Sequence, residues 1–159
     1  MYAAPFEYYR ATTLAEAHQL LKAHPDAKLL AGGHSLIPLM KLRLAQPDTV
    51  VDIGRISELK GITVQRDGLL RIGALTTHAE IAASADVQRG APALAEAAGL
   101  VGDPTVRNRG TIGGNVAHAD PASDLPTVLL ISGARFVTAG PAGERTIPVD
   151  DFFKGLMTT

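Results

Sequence analysis

The chain of 159 residues contains no cysteine, so the sequence itself excludes a disulfide, a thiolate-ligated iron–sulfur cluster, a Cys-type zinc site and a cysteine nucleophile. Any such centre must sit on another polypeptide. Charge of one sign is also missing: the formal net charge is −1 and there is no basic run, which leaves no electrostatic footprint for nucleic acid or an anionic membrane. Long apolar runs are absent too, because stretches such as VLLISGA fall far short of the ~20 residues that span a bilayer. The opening MYAAPFEYYR is too polar for a signal peptide, and the expected setting is the cytoplasm. There is no G-K-[ST] of a P-loop, and Ile37 breaks the G-x-G-x-x-G pattern in GGHSLI. No acid–base pair stands out, so no catalytic residue and no metal ligand set are assigned.

What is present is 46% hydrophobic residues, enough for one proper core and one domain, expected as two lobes. In the first lobe, residues 1–55, a strand is expected at Phe6 to Arg10. Thr13 with Glu16 reads as a capping box, and Leu14, Ala17, Leu20 and Leu21 share a helical face until Pro25. A short strand follows at Ala27 to Ala31, then a turn or helix at Pro38 to Leu44 and a strand at Thr49 to Ile53: a small β-α-β lobe.

The second lobe, 56–159, reads as larger and hairpin-rich α+β. GITVQRDGLLRIGA is two β runs around Asp67-Gly68, and Thr77 with Glu80 makes another capping box. Ala93 to Ala98 is helical by composition. SDLPTVLLIS is a helix start capped by Ser123 or Asp124, and strands at Ala134 to Ala139 and Arg145 to Val149 flank GPAG.

Two glycine pairs, in LLAGGHSLIP and TIGGN, fall in expected loops after or between β segments. Successive N–H groups in such loops can converge on an anion, although Gly-Gly is also ordinary turn chemistry, and both readings stand at this point. Arg107 and Arg109 are candidates to offset phosphate charge or are simply solvated. His34, His78 and His118 read as ordinary polar surface residues. HAD at His118 to Asp120, with Asp124 nearby, sketches a metal site, but helix capping by Asp124 competes and no metal is expected.

LLAGGHSLIPLMKLRLAQPDTVVDIGRI and GDPTVRNRGTIGGNVAHADPASDLPTVLL closely resemble the flavin-binding medium subunit of the molybdenum hydroxylases, the family that includes carbon monoxide dehydrogenase and xanthine dehydrogenase. The resemblance covers nearly the whole chain. It implies a two-lobed α+β FAD-binding domain of the PCMH/VAO type with the dinucleotide between the lobes. It assigns Ala31, Gly32, Gly33, His34 and Ser35 to a first FAD loop flanked by Leu29, Leu30 and Leu36. It assigns Thr111, Ile112, Gly113, Gly114 and Asn115 to a second, with Asp124 as a nearby carboxylate and Val101 as an apolar contact.

The resemblance further implies an electron station. A molybdopterin large subunit oxidises the substrate, an iron–sulfur small subunit passes on single electrons, and the FAD collects them for an external acceptor, in a dimer of heterotrimers. It also implies a further C-terminal domain, expected to be absent from these 159 residues. A stand-alone flavin reductase or oxidase of the same fold, and a flavin-free assembly module, are the rival readings.

Overall fold

The computed structural model describes residues 2–159. The chain divides into two compact units, one running to Leu59 and the other Lys60–Thr159, and different strand pairing builds each.

In the first unit, β1 (Glu7–Arg10), α1 (Leu14–Ala23), β2 (Lys28–Leu30), α2 (Leu36–Lys41) and β3 (Thr49–Asp52) follow in order. The three strands form a parallel sheet with the order β1-β3-β2. Parallel neighbours cannot be joined by a tight hairpin, so α1 and α2 serve as the crossovers. The central strand carries the continuous apolar run that a strand covered on both faces requires, with Val50 and Val51 fully buried.

Helix α1 starts as its sequence predicts, with one change. Thr13 Oγ1 accepts from the Glu16 N–H at 3.1 Å, but the Glu16 carboxylate turns back to Thr12, accepting from its N–H at 2.7 Å and its hydroxyl at 2.9 Å. The expected box at Thr13 is therefore half formed, because the Thr12 donors satisfy the acid instead.

The C-terminal end of β3 is tied to β1 by side chains. Tyr8 donates its hydroxyl to Asp52, Arg10 donates to the Tyr8 oxygen at 3.0 and 3.2 Å, and Arg10 Nε lies 3.5 Å from Asp52. Burial alone would raise the Asp52 carboxyl, but bonds from Tyr8 and the Gly54 N–H, with the Arg10 charge, outweigh it and hold the pKa below its ordinary value.

The second unit contains β4 (Ile62–Val64), β5 (Leu70–Ile72), α3 (His78–Ala83), α4 (Ala85–Gly90), α5 (Pro92–Leu100), α6 (Pro104–Arg107), α7 (Ile112–His118), α8 (Asp124–Ile131), β6 (Arg135–Gly140), β7 (Gly143–Pro148) and α9 (Val149–Phe152). Both strand pairs are antiparallel hairpins. Gly68, at φ 84°, provides the left-handed residue that the β4–β5 turn needs. The Thr77–Glu80 capping box is complete.

Its core is helical, with Ile81, Val87, Leu94, Ala98, Ile112, Val116, Leu125 and Leu129 buried together. Alanines on α5 let neighbouring helices approach closely. Phe136, Phe152 and Phe153 form an aromatic cluster against this core, with the first two ring centroids 4.1 Å apart. Among the described residues no helix is long and apolar enough to cross a membrane.

Three sequence expectations are corrected here. The second glycine pair is not in a loop: Gly113 and Gly114 lie in the first turn of α7, whose N-cap is Thr111. Neither Ser123 nor Asp124 caps α8 through its side chain. Ser123 occupies the N-cap position, but its hydroxyl donates to Asn115 Oδ1 at 3.0 Å. His78 is not a surface residue, being only 3% exposed, because the segment after Gly110 packs onto the start of α3.

Ile81→Ala should destabilise the protein by about 2–5 kcal/mol through loss of apolar contact and the cavity left behind, whereas Ile131→Ala, at a largely exposed position, should stay within about 0.5 kcal/mol. Urea unfolding checks this, and equal effects would contradict the assigned core. Because the folded Asp52 pKa lies below the unfolded one, its contribution is complete above the unfolded value of about 3.9 and is lost as pH falls through the folded value. Asp52→Asn should therefore flatten the acid limb of a stability-versus-pH curve, and an unchanged acid limb would show that the Tyr8–Arg10–Asp52 cluster is not linked to folding.

Candidate functional site

The first candidate segment runs from the end of β2 into α2. Leu29 and Leu30 close the strand, Ala31 to Ser35 form the loop, and Leu36 opens the helix. Gly33 sits at φ 80°, and a Cβ there would meet only movable side-chain ends, the nearest Ile37 Cδ1 at 2.7 Å, so it is the backbone conformation that demands glycine.

The loop carbonyls are engaged, since Gly33 and Ser35 accept from the Ile37 and Leu39 N–H groups at 3.0 and 3.2 Å. Its donors are not. Among the described residues, no intramolecular partner takes the N–H of Gly32, Gly33, His34, Ser35 or Leu36, and the Ser35 hydroxyl makes no cap bond. His34 and Ser35 are exposed and the other three partly so. A run of consecutive accessible N–H donors with one glycine at positive φ is the chemistry of an anion-binding turn.

The second segment is built differently. Thr111 lies across an antiparallel bridge from Thr77, and from there the donors are consumed internally. Ile112 N–H bonds to Thr76 O at 3.0 Å, Gly113 N–H to Ala74 O at 2.9 Å, Gly114 N–H to Thr111 Oγ1 at 3.2 Å, and Asn115 N–H to Thr111 O at 3.0 Å. The expectation of a second turn of converging N–H groups is therefore not met, because these donors cap and start α7. Glycine at 113 has a steric reason, since a Cβ there would fall 2.6 Å from Ala74 Cβ and 2.7 Å from Ala74 O. Gly114 is exposed and in right-handed helical backbone.

What this segment offers outward is side-chain chemistry. The bond from Ser123 fixes Asn115 Oδ1 and joins the start of α8 to α7, which brings Asp124 into the same neighbourhood with an exposed carboxylate. Val101 follows α5 and packs against the core, and Arg107 Nη1 holds its carbonyl at 3.1 Å and that of Gly102 at 2.9 Å. Arg107 is thus a local tie, a role that sequence reasoning missed because its acceptors are main-chain atoms. The contribution of Ala74 was equally invisible, since no local pattern marks a residue touched by a distant glycine.

His34 is exposed and His118 closes α7 half-buried. Asp120 accepts from the Ala122 N–H at 2.9 Å. Among the described residues no group of three His, Asp or Glu side chains is placed to hold a metal ion.

Residues 4–159 match the family model described as the FAD binding domain in molybdopterin dehydrogenase. The carbon monoxide dehydrogenase medium chain of Hydrogenophaga pseudoflava is 50% identical over 97% of this chain and 54% of its own length. The xanthine dehydrogenase FAD-binding subunit of Escherichia coli O157:H7 is 39% identical over 93% of this chain and 51% of its own. Among solved structures, carbon monoxide dehydrogenase from Hydrogenophaga pseudoflava superposes with a TM-score of 0.96 over the whole chain, covering 55% of that chain at 50% identity. Quinoline 2-oxidoreductase from Pseudomonas putida 86 gives 0.95 at 38% identity, with the whole of this chain matching 55% of that one. The chain spans about half the length of the relatives it matches.

The two glycines should fail in different ways. Gly33→Val should cost about 1–3 kcal/mol as local strain in the accessible loop. Gly113→Val drives its branch into the Ala74 backbone and should lower the melting temperature of the whole second unit further. Thermal unfolding of both variants checks this, and a Gly113→Val protein as stable as the parent would refute the close contact with Ala74.

Proposed function

Since the chain belongs to the family of FAD-binding domains of molybdopterin dehydrogenases, we propose that it is the FAD-holding part of the medium subunit of a molybdenum hydroxylase, an oxidoreductase complex. FAD is its cofactor. The observation that carries the reading is the run of unengaged donors at Gly32 to Leu36, which matches what a pyrophosphate requires. The second segment fits the same ligand through other groups: the Asn115 side-chain amide as donor, and the Asp124 carboxylate as acceptor for sugar hydroxyls. Leu29, Leu30 and Leu36 flank the first segment, and Val101 is the apolar residue the second unit would offer.

Bound FAD accepts electrons one at a time and gives them up in pairs, which suits a junction between one-electron and two-electron carriers. The chain's own task is to bind and orient. The cysteine-free sequence leaves the one-electron centres to a partner, and we assign them to an iron–sulfur small subunit, with substrate oxidation on a molybdopterin large subunit. Electrons leave to an external acceptor. The assembly is a dimer of heterotrimers in the cytoplasm.

FAD added to the purified chain should quench its own fluorescence on binding. Asp124→Ala, which removes a charged acceptor, should weaken binding roughly tenfold without changing the melting temperature of the free protein. Absence of any saturable binding would end the reading. Purification from the native source should bring iron and molybdenum along, and a lone active monomer without either metal would refute the assembly.

A further inference from the structure

His78 is the most buried histidine of the described chain, and its Nδ1 has no hydrogen-bond partner. Buried polar atoms without partners are uncommon and ask for an explanation. The ring stands directly behind Gly110: a Cβ at that glycine would lie 2.9 Å from His78 Cδ2 and 3.0 Å from Nε2. The His78 N–H also donates to Gly110 O at 3.0 Å. Immediately beside this contact, Thr77 bridges Thr111, Thr76 O holds the Ile112 N–H, and Ala74 O holds the Gly113 N–H. Residues 74–78 therefore act as a template on which the turn at 110–113 is laid, and the His78 ring fills the end of it.

Resting on the FAD reading above, we infer that His78 is a positioning residue for the second FAD segment: its neutral ring, wedged behind Gly110, sets where Thr111 begins α7 and so where Asn115 is presented. The ring itself touches none of the outward-facing groups. It acts through the backbone of Gly110 and the clamp of hydrogen bonds next to it.

Neutrality matters because the ring has no acceptor for a second proton. The elements packed around α3 carry Asp86 and Arg89 on α4, Glu96 on α5, and Asp103 and Arg107 at α6. Arg109 lies in the following turn, and Glu80 lies on α3 itself, engaged in the cap of Thr77. None of them shifts the ring; burial alone pushes its pKa below the ordinary histidine value. With the folded value below the unfolded one, the contribution of the clamp is complete above the unfolded pKa of about 6.5 and is lost as pH falls through the folded value.

The test is FAD titration of the chain at about pH 8 and about pH 5, with amide hydrogen exchange of Ile112 and Gly113 followed in the free protein under the same conditions. The wild type should lose at least about tenfold in affinity at the lower pH, and both amides should exchange faster there relative to amides elsewhere in the core. His78→Gln and His78→Leu, which cannot titrate, should show less than about a twofold change with pH, whatever their absolute affinity. Two variants are used so that a folding defect in one does not decide the outcome.

Gly110→Ala, which pushes on the ring from the other side, should weaken binding at both pH values. A pH dependence unchanged in both His78 variants, or none in the wild type, would overturn the inference. If FAD binds at neither pH, the function reading fails and the FAD part of this inference falls with it. The exchange experiment still judges the clamp: protection that does not depend on pH through His78 would overturn that as well.

Discussion

Main-chain hydrogen bonding is the constraint on which the site depends. A buried N–H left without a partner costs free energy comparable to a lost hydrogen bond, so donors inside a fold are paired and only donors at an accessible surface stay available for a ligand. From Gly32 to Leu36 a glycine at positive φ turns the chain while the N–H groups have no partner among the described residues. At Thr111 to Asn115 the same dipeptide is used to let α7 start against Ala74, with the N–H donors of Ile112 to Asn115 engaged. Two similar sequence motifs thus perform opposite functions, one leaving its backbone open and the other burying it in the fold.

This division explains the side-chain composition of the two segments. The first carries alanine, two glycines, an exposed histidine and serine between leucines, and its backbone donors are the groups left open. In the second, the donors of Ile112 to Asn115 are already in use, and the polar side chains left are the partly buried Asn115, tied to the start of α8 by the bond from Ser123, and the exposed Asp124. Ser123 gives up its capping role to make that bond. A helix cap is worth about 1 kcal/mol, and the bond that orients Asn115, a residue proposed to contact FAD, takes its place.

The two units also differ in how they secure their segments. The first relies on a parallel sheet whose central strand is buried on both faces, with the Tyr8, Arg10 and Asp52 cluster pinning β1 to β3. The second relies on close helix packing through alanine and glycine, where a single added Cβ is felt at once. In such a densely packed region small shifts do not dissipate, which is why a ring behind Gly110 is able to govern the turn beyond it.

Much was legible in the sequence, because it rests on local rules. The strand expected at Thr49 to Ile53, the hairpin around Asp67-Gly68, and the capping box at Thr77 and Glu80 follow from periodicity and turn chemistry. Two separated motifs also disclosed the family. Other features were not legible, because they depend on residues distant in the chain meeting in space. The sequence by itself determined that no thiolate-ligated iron–sulfur cluster can be held by these residues. Only the tertiary structure decided that Gly113 is glycine for the sake of Ala74, that Ser123 bonds Asn115 rather than its own helix, and that His78 is buried rather than solvated. The physical reason is the same in each case: propensity acts within a few residues, whereas pairing of donors and exclusion of volume are settled by whatever segment the fold brings alongside.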